Sequence, residues 1–320
     1  MLALNEPPAA AVRTPVVKVC ILTYDRPALL ERCLRTLDAQ AFTRMPAPDL
    51  HVAVIDNHPT PTVTAEAVGR AVRRWPFTVL HQPVPGIAVS RNAAMVAAEP
   101  RDADFIAFID DDEYAAPQWM EELLLVQAAT GAAVVSAPCT PLIPDDAPAW
   151  FTRSGIGQPP VKPDRTPVSG AATNNVLFAR ALPAQGLRFE EDLSLCMGED
   201  TLFFEDARRA GFPMAWAANA MVYEEVPRRR MSSMWLIRRW LSFGYTQRYV
   251  LRRRMGRAAA YGHLAFHGLR RTLAGLTFVP VLLVAPLVGW DIVMKRIHHF
   301  CRGLSMLLAV FGVYAGERKR

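Results

Sequence analysis

Three consecutive carboxylates, Asp110-Asp111-Asp112, with Glu113 directly behind them, follow on the apolar run DFIAFI that ends at Ile109. Acids packed this closely repel one another, and a cation is the natural remedy. Hard carboxylate oxygens suit Mg2+ or Mn2+. Alternate side chains of an extended segment point the same way, so Asp110 and Asp112 can share one ion while Asp111 faces elsewhere. An ion held there can bridge a diphosphate and neutralise the charge on a departing nucleotide. The competing reading is a solvated turn. The position of the run at the end of a hydrophobic strand favours the ion.

The elements that must position these acids are legible upstream. Val16–Tyr24 (VVKVCILTY), Leu50–Asp56 (LHVAVID), Phe77–His81 and the run ending at Ile109 are short, apolar and rich in β-branched residues, which predicts four buried strands. Between them, Leu30, Cys33, Leu34 and Leu37 recur at helical spacing, with Asp25 as the expected cap and Pro27 in the first turn. Gly86–Ala98, which carries Arg91, and Gln118–Ala129 read as further helices. Such alternation predicts an α/β fold with a mostly parallel sheet covered on both faces. Ligands of these sheets lie beyond the carboxyl ends of the strands, where Tyr24, Asp56 and Asp110 all stand. Further on, Pro138–Pro167 reads as loop, Ser169–Arg180 as a loop entering a strand, Met197–Gly211 as a helix, and Met231–Arg254 as one basic amphipathic helix.

The chain has 320 residues, 51% of them hydrophobic, and a net charge of +6 concentrated after Val226. A basic C-terminal part suits an anionic surface. Its arginines alternate with long apolar runs, which favours lipid and leaves no nucleic-acid partner expected. Five scattered cysteines without a CxxC pair predict neither a zinc site nor a disulfide framework. Residues 1–15 read as a disordered lead without signal-peptide character, 16–245 as the α/β domain, and 246–320 as a helical, membrane-associating tail. The apolar stretch Leu273–Trp290 is near the lower limit of about 17–25 residues for a membrane span. It contains Pro280 and Pro286, and Leu304–Ala315 is shorter still. Basic flanks at Arg270-Arg271, Lys295-Arg296 and Arg318-Lys319-Arg320 favour a hairpin or in-plane helices over one clean crossing. Trp235, Trp240, Arg238, Arg239 and Arg252 to Arg254 are then expected at the headgroups, and removal of the tail is expected to cost membrane fractionation but not necessarily catalysis.

The segments ILTYDRP, VIDN, PGIAVSRNAA, FIDDDE and GEDTLFFEDARRAG, in this order and spacing, resemble family 2 glycosyltransferases with the GT-A fold, Rossmann-like with flanking helices. The resemblance spans roughly 16–244 and points, within the family, to exopolysaccharide enzymes of the succinoglycan type. It implies an inverting, metal-dependent transfer of a sugar from a nucleotide-diphosphate donor, commonly UDP-linked, to a hydroxyl of a lipid-linked or saccharide acceptor. The implied location is the cytoplasmic face of the inner (plasma) membrane. By the same resemblance, Thr23 and Tyr24, with Arg26 beside them, line the nucleobase pocket, and Asp56 accepts a hydrogen bond from the base. Arg91 and Asp111 lie by the nucleotide, Asp110 on its ribose or metal side, and Asp112 holds the metal. Asp200 matches the general base with Glu199 as its neighbour, and Asn174 and Asn175 shape donor-sugar and acceptor contacts. One departure is plain. The family often places a metal-binding histidine where this chain reads Val222-Tyr223-Glu224-Glu225-Val226. Either Glu224 or Glu225 could replace it, or Asp112, diphosphate and water could complete the shell. Two rival readings remain at this point: a sugar-nucleotide nucleotidyltransferase, for which the glycine-rich phosphate loop is missing, and a catalytically inactive scaffold on the same fold.

Overall fold

The computed structural model describes residues 13–194 and 198–315. Residues 1–12 of the expected lead, Cys196, Met197 and the triplet Arg318-Lys319-Arg320 lie outside the described residues. From Arg13 onward the chain is engaged: Arg13 pairs with Asp104 at 3.0 Å, and the Pro15 carbonyl accepts the Asp49 amide.

The strands are β1 (Val16–Thr23), β2 (Asp49–Asp56), β3 (Phe77–His81), β4 (Phe105–Asp110), β5 (Glu113–Ala115), β6 (Val134–Ser136), β7 (Cys139–Leu142), β8 (Asn175–Ala179), β9 (Met214–Trp216) and β10 (Val222–Glu225). The main sheet runs β3-β2-β1-β4-β8-β6-β9, and a smaller one runs β5-β10-β7. In the main sheet only β8 opposes its neighbours, so the sheet is mostly parallel as the alternation of elements predicts. The helices are α1 (Pro27–Asp38), α2 (Ala65–Ala71), α3 (Ile87–Val96), α4 (Trp119–Thr130), α5 (Ala149–Ser154), α6 (Ala181–Ala184), α7 (Glu199–Arg209), α8 (Ser233–Leu241), α9 (Phe243–Met255), α10 (Arg257–Gly275), α11 (Phe278–Leu283), α12 (Ala285–Val288) and α13 (Trp290–Val310).

The alternation along β1 divides the core. Val17, Val19 and Ile21 join the cluster under α1 and α4, whereas Cys20 joins Ala88, Ala94, Phe203 and Phe204 of α3 and α7 on the other face. Lys18 shares this second face. Its buried ammonium donates to the Met95 and Ala98 carbonyls at the end of α3, which satisfies both a helix terminus and the buried charge.

Several expectations are corrected. Asp25 does not cap α1; it adopts a left-handed φ of 50°, and Arg26 takes the cap position without a side-chain cap bond. Pro138–Pro167 is not all loop, since it contains β7 and α5. The expected single helix Met231–Arg254 is a 3-10 turn at Arg228–Met231 followed by α8 and α9, which meet at Ser242. The break is tertiary in origin: Gly244 packs so closely on the Ser305 backbone that a Cβ would lie 2.0 Å from its carbonyl oxygen. The boundary expected between 245 and 246 therefore falls inside α9. Arg254 of α9 binds Glu205 of α7 through two hydrogen bonds of 2.7–2.8 Å, and Arg253 binds Glu190 and Asp206. These two arginines are committed to the α/β domain, not held out towards headgroups.

Leu273–Trp290 breaks around Pro280, Pro286 and Gly289 into the end of α10 and the short helices α11 and α12, because proline removes backbone donors. Among the described residues no helix is long and apolar enough to cross a membrane. α10 and α13 instead form an antiparallel hairpin. A Cβ at Gly275 would meet the Phe300 nitrogen at 2.3 Å and one at Gly303 the Thr272 nitrogen at 2.4 Å, so glycine is what permits the crossing.

Glu205 is 2% exposed and holds Arg208 and Arg254 together. Although burial pushes its carboxyl up, hydrogen bonds from the two arginines outweigh that and bring it down to about 2. A depressed carboxyl stabilises the fold fully above its unfolded value of about 4.3, and that contribution is lost as pH falls towards 2. Glu205→Gln is expected to lower unfolding free energy by about 1–3 kcal/mol at pH 7. In chemical denaturation at pH 3, the gap between variant and parent should be visibly smaller.

Candidate active site

β1 ends at Thr23, β2 at Asp56 and β4 at Asp110, and the parallel register aligns them: Thr23 stands beside Asp56 and Leu22 beside Asp110. The acid run is tied back to β1. Thr23 Oγ1 donates to Asp111 at 2.7 Å, and Arg26 donates to Asp111 at 3.1 Å and to Asp112 at 3.3 Å. Asp111 is thus buried, whereas Asp110 and Asp112 are half-buried. Burial raises its carboxyl to about 6, against the opposing pull of Thr23 and Arg26. Glu113 folds back to accept the Asp110 amide at 2.8 Å and so closes the turn between β4 and β5.

Arg91 forms the opposite wall. It is buried on α3, ion-paired with the buried Glu199 at the start of α7 and 3.8 Å from Asp110. Arg91 therefore acts between protein groups: it locks the first turn of α7, on which the half-buried Asp200 follows Glu199. Gly198 before them has φ 97°, and a Cβ there would strike Thr246 of α9 at 2.1 Å. Arg239 of α8 is exposed, with its guanidinium 5.9 Å from the Trp235 ring, and it lies in electrostatic range of Asp200, Glu199 and Glu224.

The small sheet completes the nest. Glu224 of β10 sits directly across from Glu113 of β5, and the Cys139 thiol donates to Glu113 at 3.1 Å. Single ligand atoms of Glu113, Cys139 and Glu224 all lie within 4.8 Å of one another. Burial, with Asp110 adding its charge, pushes the Glu113 carboxyl well above its ordinary range. Burial also raises Glu224, where Asp112 and Asp110 add to the effect and Arg230 opposes it. Glu225 points the other way, to Arg32. Of the two glutamates at the position that lacks a histidine, only Glu224 faces the acids. Carboxylate oxygens at this edge of the sheet are the ligands a hard divalent cation takes, and among the described residues those whose ligand atoms converge belong to Glu113 and Glu224, beside Cys139. In this arrangement Asp112 Oδ2 also meets two guanidinium groups, of Arg26 at 3.3 Å and of Arg230 at 3.5 Å.

Tyr24 is half-buried and meets His58 edge-on, ring centroids 5.1 Å apart. Asp56 is buried and accepts four hydrogen bonds from His58, Thr62 and Val63. A carboxylate has about four acceptor positions, so Asp56 builds the 57–63 loop beside Tyr24, and a nucleobase would have to displace one of these bonds.

Residues 18–170 match the family model described as Glycosyl transferase family 2. The succinoglycan biosynthesis protein ExoM of Rhizobium meliloti (strain 1021) is 34% identical over 239 residues, 73% of this chain and 75% of that protein. The chain belongs to glycosyltransferase family 2. Among solved structures, the mannosyltransferase PcManGT from Pyrobaculum calidifontis, in complex with GDP-Man and Mn2+, aligns with a TM-score of 0.60 at 19% identity, over 95% of this chain and 91% of that one. S. aureus TarS 1-349 in complex with UDP aligns with a TM-score of 0.51 at 15% identity, over 93% and 92%. At these identities the likeness speaks to the fold, a GT-A-like sheet with flanking helices.

Within this glycosyltransferase the paired asparagines separate. Asn175 is fully buried; it accepts the Trp119 indole N–H at 2.8 Å and donates to the Pro138 and Ala220 carbonyls. Its amide is spent on holding β8, α4 and the approach to β10 together, which corrects the expectation of a sugar contact. Asn174 is half-buried and lines a cavity of about 410 Å3 with Trp216, Lys162, Thr201 and Arg254. Glu113 and Arg230 were not singled out from sequence, although the acid directly after the DDD run was a signal for the first. Asn175→Leu is expected to strand three buried partners and lower stability by at least about 2 kcal/mol, whereas Asn174→Ala should stay within about 0.5 kcal/mol. Thermal unfolding of the two variants checks this contrast.

Proposed function

We propose that this transferase moves a sugar from a UDP-linked donor to a hydroxyl of a lipid-linked or saccharide acceptor, with inversion, in exopolysaccharide synthesis at the cytoplasmic face of the membrane. The observation that carries the reading is continuity. Hydrogen bonds and ion pairs run from Thr23, beside Tyr24, through Asp111 and Arg26 to Asp112, and from Asp110 through Arg91 to Glu199, next to Asp200. The nucleoside end, the acid run and the candidate base thus share one rigid frame, as transition-state stabilisation by preorganised groups requires.

Asp110, Asp112 and Glu224 would hold Mn2+ or Mg2+, which when bound neutralises the diphosphate leaving group. Thr23 and Arg26 fix the acid run through Asp111. Tyr24 offers an aromatic face to the base. Asp200 takes the proton of the acceptor hydroxyl as that oxygen attacks the anomeric carbon, and Arg91 keeps Asp200 in position through Glu199. One displacement on the face opposite the leaving group inverts the configuration. ExoM, by its name a succinoglycan biosynthesis protein, supports the exopolysaccharide setting.

The C-terminal hairpin supports a bilayer-bound acceptor. Phe266, Leu269, Leu273 and Leu276 form an exposed stripe along α10 that continues to Leu283 and Leu287, which are 85% and 86% exposed. No charged residue occurs between 272 and 290, and Arg270, Arg271, Lys295 and Arg296 flank the stretch. An apolar wedge with basic shoulders suits shallow docking into an anionic leaflet.

Asp200→Asn is expected to cut transfer by about 10²–10⁴-fold while nucleotide binding persists, as read by product formation and by UDP calorimetry. Full transfer by that variant would remove Asp200 from the mechanism. Leu283→Asp with Leu287→Asp should abolish co-flotation with vesicles containing anionic lipid and leave transfer to a water-soluble acceptor in place.

A further inference from the structure

Glu113 and Glu224 are cross-strand partners on antiparallel β5 and β10, a placement at which like charges repel. Asp110 and Asp112 add their fields at Glu224. The chain supplies its own counter-charge. After Pro227 the 3-10 turn Arg228–Met231 curls back, with Met231 buried among Phe151, Leu236 and Met294 as its anchor. This carries Arg230 onto Glu224 and to within 3.5 Å of Asp112. The Arg230 side chain is 27% exposed, and its guanidinium lies 5.9 Å from the Trp235 ring. It is therefore neither a loose surface arginine nor a sealed core one. It is a tethered cation at the mouth of the nest, with solvent on one side.

Resting on the metal reading of the acid run, we infer that Arg230 is the resident counter-ion of this nest and exchanges with the divalent cation when the nucleotide donor arrives. The same oxygens cannot serve a guanidinium and a divalent ion at once, because the two cations repel at contact distance. Metal alone must displace Arg230 into solvent and binds poorly. Metal arriving with a nucleoside diphosphate brings the anion that re-pairs the displaced guanidinium, so the two bind cooperatively. Arg230 is thus a positioning residue that couples metal to donor and disfavours occupation of the site by metal without substrate.

The test is calorimetry of Mn2+ binding to the full chain, without and with UDP, for the parent, Arg230→Gln and Arg230→Lys. The parent is expected to bind Mn2+ about tenfold or more tightly with UDP than without it, in the ordinary range of coupling between sites. Arg230→Gln should bind Mn2+ alone more tightly than the parent, lose most of the UDP-dependent gain, and show a raised KM for the donor. Arg230→Lys should keep the coupling. If the parent binds Mn2+ equally well with and without UDP, the inference fails while the metal reading stands, and this measurement needs no variant to fold. Unchanged coupling in Arg230→Gln also overturns it. If the parent binds no Mn2+ under either condition, the metal reading falls and the inference with it.

Discussion

The structure is organised around a surplus of negative charge at the C-terminal edge of a parallel sheet. Asp110, Asp111, Asp112, Glu113 and Glu224 come together where backbone strands stop, and no hydrophobic packing offsets their repulsion. Each acid is instead given a specific partner: Arg91 for Asp110, Thr23 and Arg26 for Asp111, Arg26 and Arg230 for Asp112, Arg230 for Glu224, and Cys139 with the Asp110 amide for Glu113. Such an assembly is under electrostatic tension by design of its sequence, and in a low-dielectric setting the tension is what gives an added cation its purchase. The family assignment fits this physics, since neutralising a diphosphate is a demand for positive charge at one defined spot.

The rest of the fold serves to keep the acids from relaxing. β1 carries alternating side chains into two separate clusters, so neither sheet face can slip without emptying the other. α7 is pinned at its start by Arg91 with Glu199 and along its length by the arginines of α9. Asp56 and Asn175, both saturated with internal hydrogen bonds, stiffen the loop beside Tyr24 and the junction of α4 with β8. The site is therefore held in place by side chains whose bonds are made within the protein.

What was legible in the sequence follows from range of interaction. The strands β1 to β4 and their ends were readable because short apolar runs have a local cause, and the alignment of Thr23, Asp56 and Asp110 follows from parallel register alone. The five segments resembling the family marked the right region. What could not be read depends on contacts between distant residues. Asp56 looks the same in sequence whether its oxygens are open or filled by Thr62 and Val63. Asn174 and Asn175 are indistinguishable until the strand alternation of β8 sends one inward. The long basic helix was an inference from composition, and Ser305, some sixty residues away, is what interrupts it. Arg230 was not singled out because nothing local shows a 3-10 turn bringing it back to the acids.

The pairing of Arg254 with Glu205, and of Gly198 with Thr246, alters how the last quarter of the chain should be regarded. A segment that only moored the enzyme would be dispensable, but here a buried carboxylate of the α7 helix finds its counter-charge beyond residue 245. Cutting there would leave the buried Glu205 with Arg208 alone in place of two arginines, on the very helix that carries Asp200. The C-terminal helices and the helix that carries Asp200 are thus one mechanical unit, and truncation before residue 246 would remove part of the support of α7.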